Sequence, residues 1–179
     1  MKTTAVCLFV AVCVTVAASP AAAQLDPMGP EVPLFSVAGF GGVVTGDSDV
    51  TLFGIQADLP IAAHMSFTGE VSGFTANVAC RDDPEQLCES SGFGIAVGPR
   101  MWLLDHDDII SPYVMGLAGF AGGGDPWEGG IMAVMAAGFE VRFHERIGVF
   151  ADGNSRWVLD DSTGADFGLS AGIRYRVAR

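Results

Sequence analysis

Few side chains in this sequence are of types that do chemistry, and their positions matter more than their number. Three are histidines, His64, His106 and His144. Each lies in or beside a short connection (PIAA, DHDD, HER) between apolar stretches. Imidazoles gathered on one rim would suit a transition metal. Adjacent turns need not converge their side chains, however, and interfacial polar residues are the plainer reading, so no metal site is assigned. A serine hydrolase needs a serine in reach of a histidine that an acid orients. The histidines here cluster at the turns, and a GxSxG sequence is absent. The expectation is a protein that is not an enzyme and carries no cofactor.

Two cysteines, Cys80 and Cys88, sit close together in the polar segment NVACRDDPEQLCESSG. In an exported chain this spacing suggests a disulfide closing a small loop. No histidine is nearby, and two thiols do not complete a zinc site. Carboxylates concentrate in four segments: TGDSD, the cysteine loop, GGGDPWEGG and DDSTGA. Such oxygens suit calcium or magnesium, but their spacing matches no calcium-loop pattern, and solvated loops are the default. Trp127, in the third of these segments, is placed to anchor a partner or touch lipid head groups.

The N-terminus sets the compartment. Lys2, the apolar run AVCLFVAVCVTVAA and the AAAQ that follows form a secretory signal peptide over residues 1–23. A short periplasmic segment, 24–33, would precede a single domain over 34–179. Cleavage leaves about 156 residues, no lysine and a net charge of about −13. That charge excludes electrostatic binding of nucleic acid. It would attract cations or basic partners to the acidic loops. No later segment approaches the ~18 continuous apolar residues of a transmembrane helix.

The elements that must position these side chains are strands. Alternation broken by Gly- and Asp-rich segments dominates, and it predicts an all-β chain. Eight strands are expected near 34–44, 50–59, 64–76, 92–103, 110–121, 131–143, 147–158 and 166–177. Connections after the second, fourth and sixth are short. Those after the first, third, fifth and seventh are acidic. This is the layout of an eight-stranded antiparallel up-and-down β-barrel, transmembrane, with short turns facing the periplasm.

One phase of these strands is charged. It carries Asp58, Glu70, Glu140, Asp152 and Asp166, and against them Arg100, Arg142, Arg156, Arg174 and Arg176. The two sets balance. The other phase carries residues such as Phe53, Ile55, Phe67, Val71, Ile95, Phe139, Phe167 and Ile173. In a soluble periplasmic barrel of lipocalin type, binding a small apolar ligand, the apolar phase would point inward. In a membrane barrel it meets lipid, and the charges pair inside a lumen narrow enough to be filled. Arginine suits that role, because its fork grips carboxylates and it does not deprotonate. The absence of lysine favours the membrane assignment. The first and fifth strands carry no charge in either phase, so their facing is open. Pro99 and Pro112 within strands cost ladder hydrogen bonds. Trp102, Tyr113, Trp157 and Tyr175 fall near strand ends, where aromatic girdles belong.

The last strand contains SAGIRYRV. Ser170, Gly172, Tyr175 and Val177 fill the polar, glycine, aromatic and hydrophobic positions of the C-terminal assembly signal of outer-membrane barrels. With SPYVMGLAGFAGG, AAGFEVRFHERIGVFADGNSRWV and ADFGLSAGIRYRV, the chain resembles the small OmpA/OmpX-like, or opacity-porin-like, outer-membrane β-barrels. The resemblance spans essentially the mature chain. It implies location in the bacterial outer membrane, lipid and the barrel assembly machinery as partners, a monomer, and a structural or surface-interaction role. Such chains usually end on an aromatic residue. This one runs on through Ala178 to Arg179, which departs from the signal.

Overall fold

A computed structural model describes residues 35–45, 50–79, 87–104, 108–123, 128–159 and 165–177. The signal peptide, segment 24–33, Cys80, His106, Trp127 and most of the loop acids lie outside them. Of Cys88 and Asp166 only the backbone is described.

Eight strands close into one antiparallel barrel in sequence order. They are β1 (Phe35–Thr45), β2 (Val50–Ala62), β3 (Met65–Ala79), β4 (Leu87–Trp102), β5 (Ile110–Gly123), β6 (Glu128–His144), β7 (Ile147–Leu159) and β8 (Ala165–Val177). β8 pairs with β1 from Phe35↔Val177 to Thr45↔Phe167, so no strand edge is left open. That closure lets every strand satisfy its ladder within the wall, which a lipid-exposed sheet requires. The β2–β3, β4–β5 and β6–β7 connections share one end of the barrel with Phe35 and Val177. This is the turn end, and the acidic connections leave from the opposite, loop end.

Several strands extend past the alternating sequence. β3 runs to Ala79 and β4 begins at Leu87, paired through Ala79↔Leu87 and Val78↔Cys88. The hairpin continues into Asn77, Glu89, Ser90 and Ser91 because ladder hydrogen bonds do not depend on apolar faces, so pattern alone ends the strand too early. The prolines also have an account. Pro99 falls where the β4–β5 ladder is interrupted between Val97↔Ala118 and Arg100↔Met115. Pro112 lies just beyond the last β4–β5 pair, Trp102↔Tyr113, and its carbonyl accepts the Leu103 N–H at 2.9 Å. Pro99 thus leaves a local gap in a ladder that keeps its register on both sides, whereas Pro112 costs nothing because the β4–β5 ladder has already ended.

The faces are unambiguous. Phe53, Phe67, Phe139 and Phe167 point outward, exposed by 55%, 43%, 50% and 66%. An inward apolar cavity of lipocalin type is therefore not the architecture. β1 turns Ser36, Ala38, Phe40 and Val44 inward; β5 turns Ser111, Tyr113, Met115 and Leu117 inward. Exposed apolar runs extend from Phe53 to Ile61 on β2 and from Ile131 to Phe143 on β6. At about 3.4 Å per residue and a tilt of roughly 40°, such runs stand roughly 20–30 Å tall, bracketing the ~25 Å apolar band of membrane barrels.

Candidate functional site

The lumen divides into two halves. Toward the loop end it is apolar: Val44, Leu52, Leu117, Ala121, Met132 and Val134 are buried together. Both phases of β1, β5 and β6 are apolar there, so alternation could not reveal this half. Toward the turn end the lumen is charged. Inward residues from all eight strands meet in it, because strand tilt brings distant positions of the chain to one level.

Asp58 on β2 is the hub. Its carboxylate accepts Arg100 Nη1 at 2.8 and 2.9 Å, Thr68 Oγ1 at 2.5 Å and Ser36 Oγ at 3.0 Å. It also pairs with Arg174 of β8. Arg100 is fully buried, and its Nε has no hydrogen-bond partner, so its two terminal nitrogens carry its contacts. Nη2 donates to Gln56 Oε1 at 2.6 Å, and the cation lies 4.7 Å from the centre of the Tyr113 ring and 5.8 Å from Trp102. A buried cation without such company would cost several kcal/mol, so these partners are what make its position tolerable.

The network runs both ways from this hub. Arg174 Nε stands 2.9 Å from Glu140 Oε2, a charge contact not aligned as a hydrogen bond, and its guanidinium lies 5.2 Å from the Phe150 ring. Arg176 donates to the other oxygen of Glu140. On the far side Gln56 Nε2 donates to Glu70 Oε2 at 3.0 Å, and Arg156 Nη1 donates to Glu70 Oε1 at 2.7 Å. Arg156 Nε reaches Asn154 Oδ1 at 3.4 Å. Asn154 leads to Asp152, which accepts Ser170 Oγ at 2.5 Å and Tyr113 Oη at 2.7 Å.

Nine of the ten charged lumen candidates can thus be placed. Eight lie in this network. Arg142 is half-buried beside a β-bulge between Arg142 and His144, and its N–H donates to the Ile109 carbonyl at 2.8 Å. Asp166 pairs its backbone with Arg156. Sequence reasoning missed Gln56 as the bridge between the Asp58 and Glu70 centres, and Tyr113 as a lumen residue. The aromatic-girdle expectation fails for Trp102 and Tyr113. Both are buried inside and pack edge to face, with ring centroids 5.3 Å apart. Their shared phase with Arg100 carried that signal, and cation–π attraction gives the reason. Tyr175 does face outward.

Two of the four positions read as an assembly signal, Ser170 and Gly172, face the lumen. Ser170 bonds to Asp152, and a Cβ on Gly172 would come within 2.7 Å of the Phe150 ring. Val177 pairs with Phe35 at the seam. Cys88 pairs its backbone with Val78, and the disulfide itself lies outside the described residues.

His64-Met65-Ser66 is a His-x-Ser at the head of β3, but its two side chains diverge. Ser66 is buried toward the lumen, whereas His64 is exposed on the turn with Nδ1 3.3 Å from the Leu104 carbonyl. His144 Nδ1 accepts the Arg146 N–H at 3.3 Å. Among the described residues no three His, Cys, Asp or Glu side chains are grouped to hold a metal ion.

The closed eight-strand wall matches a set of solved structures. The chain has the fold of the small outer-membrane barrels. Neisserial surface protein A (NspA) aligns with a TM-score of 0.62 at 11% identity, over 79% of this chain and 95% of that one. The N-terminal β-barrel domain of Pseudomonas aeruginosa OprF aligns with a TM-score of 0.58 at 12% identity, over 79% and 96%. The outer membrane enzyme PagL aligns with a TM-score of 0.58 at 9% identity, over 79% and 99%. No protein-family model matches the sequence, and no curated protein matches it.

Proposed function

We propose that the chain is an exported, monomeric barrel of the bacterial outer membrane, closed to permeation and without enzymatic activity. It serves envelope integrity, or surface interaction through its acidic loops. The observation that carries this reading is the Asp58–Arg100–Arg174–Glu140 crossbar, which joins β2, β4, β8 and β6 across the lumen. An open pore would hydrate these groups, whereas here they are buried and paired charge to charge, and the apolar half of the lumen stacks behind them. The exposed apolar belt supports a lipid surrounding.

The likeness to PagL is one of fold, and it lends that enzyme's activity to this chain only as a question. The divergence of His64 and Ser66 supports a non-enzymatic role. Cations or basic partners remain the ligands that the acidic loops would favour. Planar bilayers test the closed reading: the purified barrel should give no sustained conductance steps. Stable, long-lived steps would overturn it. Release of fatty acid from added phospholipid would contradict the absence of enzymatic activity.

A further inference from the structure

Asp58 lies on β2 and Arg100, which grips its carboxylate, on β4, so the arginine side chain has to cross the inner face of β3. Two hydroxyl residues of β3 lie on that path. Thr68 pairs with Asp58 across the β2–β3 ladder, and its hydroxyl donates to that carboxylate at 2.5 Å. Ser66 pairs with Arg100 itself across the β3–β4 ladder. Both side chains of that second pair point into the lumen and are closed to solvent, Ser66 2% and Arg100 0% exposed. Yet Ser66 Oγ and Arg100 Nε have no hydrogen-bond partner among the described residues. Directly opposed residues of an antiparallel ladder hold their Cβ atoms about 4.5–5.5 Å apart. Two buried polar atoms, each without a partner, therefore border one small volume, and buried polar groups are almost always met.

We infer that Ser66 and Arg100 hold one buried water between them. The chemistry of the two atoms selects it. Arg100 Nε–H only donates, so the occupant accepts; Ser66 Oγ does either. A cation does not fit beside a guanidinium. An anion would face the Asp58 carboxylate, which already supplies the negative charge that Arg100 and Arg174 share. A water accepts from Nε–H and donates to Ser66 Oγ, and two partners are enough to order a buried water. Its part in the lumen is to fix the guanidinium plane. With Nε held from the β3 side, Nη1 faces Asp58 and Nη2 faces Gln56 Oε1, the two contacts that anchor Arg100 on β2. The inference rests on the closed reading above, because an open lumen would bathe both groups in exchanging solvent.

The Nε–H proton of Arg100 is the probe. Nitrogen-15-labelled barrel is folded in detergent micelles, checked for its mobility shift between cold and boiled SDS, and examined by NMR for cross-relaxation between that proton and water. Paired laboratory-frame and rotating-frame spectra separate a long-lived bound water from chemical exchange and from passing solvent. Ser66→Val puts two methyl groups where the water would sit. The expected result is a bound-water cross-peak at Arg100 Nε–H in wild type that is lost in Ser66→Val, with cross-peaks to the valine methyls in its place. Ser66→Ala serves should Ser66→Val not fold, and its water cross-peak should be weaker than that of wild type. A wild-type protein with no bound-water cross-peak would overturn the inference, as would one unchanged by these substitutions. So would a movement of the Nε–H signal when bromide replaces chloride, which would make the occupant an anion. A signature of rapidly exchanging solvent would overturn it too, and the closed reading falls with it only if conductance steps accompany that signature.

Discussion

Replacing Asp58 by asparagine keeps the shape of the side chain and removes the one charge that Arg100 and Arg174 share. Arg100 would keep its Gln56 bond and its place against Tyr113 but would lose a two-oxygen carboxylate contact at 2.8 and 2.9 Å. Arg174 would keep only the misaligned contact with Glu140 among its carboxylates. Breaking a buried pair by removing one partner costs about 3–5 kcal/mol, most of it from the stranded charge. The same change at exposed Glu145, on the β6–β7 turn, should stay within about 0.5 kcal/mol. Removing a stranded cation as well should recover stability. Asp58→Asn combined with Arg100→Met should therefore be less destabilised than the sum of the two single changes by about 1–3 kcal/mol. The assay is urea unfolding of barrels folded into phosphatidylcholine vesicles, followed by tryptophan fluorescence. A cost for Asp58→Asn below about 1 kcal/mol, or strict additivity in the cycle, would refute the claim that Asp58 neutralises the lumen arginines.

Three further outcomes are expected. Val71 is exposed at mid-belt on β3, so Val71→Arg should cost about 2–4 kcal/mol in the same unfolding assay, because it puts a cation against lipid. Val37 and Tyr175 face each other across the β1–β8 seam; with Cys80 and Cys88 changed to serine, Val37→Cys and Tyr175→Cys should cross-link in the folded protein and not in urea. In the exported native protein, iodoacetamide without reductant should modify neither Cys80 nor Cys88, and modification of both would remove the disulfide from the account.

The barrel was legible because its signal is a period. Alternation over β2, β3, β7 and β8 separates Phe53, Phe67 and Phe167 from Asp58, Glu70 and Arg174. Short turns alternating with acidic loops then give the order. Strand facing was not legible on β1 and β5, where Ala, Gly and Val occupy both phases and only the closed geometry decides. The charged residues were legible as a set. Their pairing was not, because Asp58 and Arg174 are brought together by strand tilt and by closure between the first and last strands, neither of which leaves a local mark. Gln56 and Tyr113 escaped for a different reason. An uncharged amide and an aromatic at a strand end carry no sign of what they will bond until Arg100 is seen between them.

The central claim is that the apolar face meets lipid and the charged face closes on itself. Membrane fractionation of the expressing cell, followed by electrophoresis with and without boiling in SDS, tests it most directly. The expected result is recovery in the outer-membrane fraction and a band that keeps its folded mobility in cold SDS and shifts on heating. A soluble periplasmic protein with one mobility at both temperatures would contradict it.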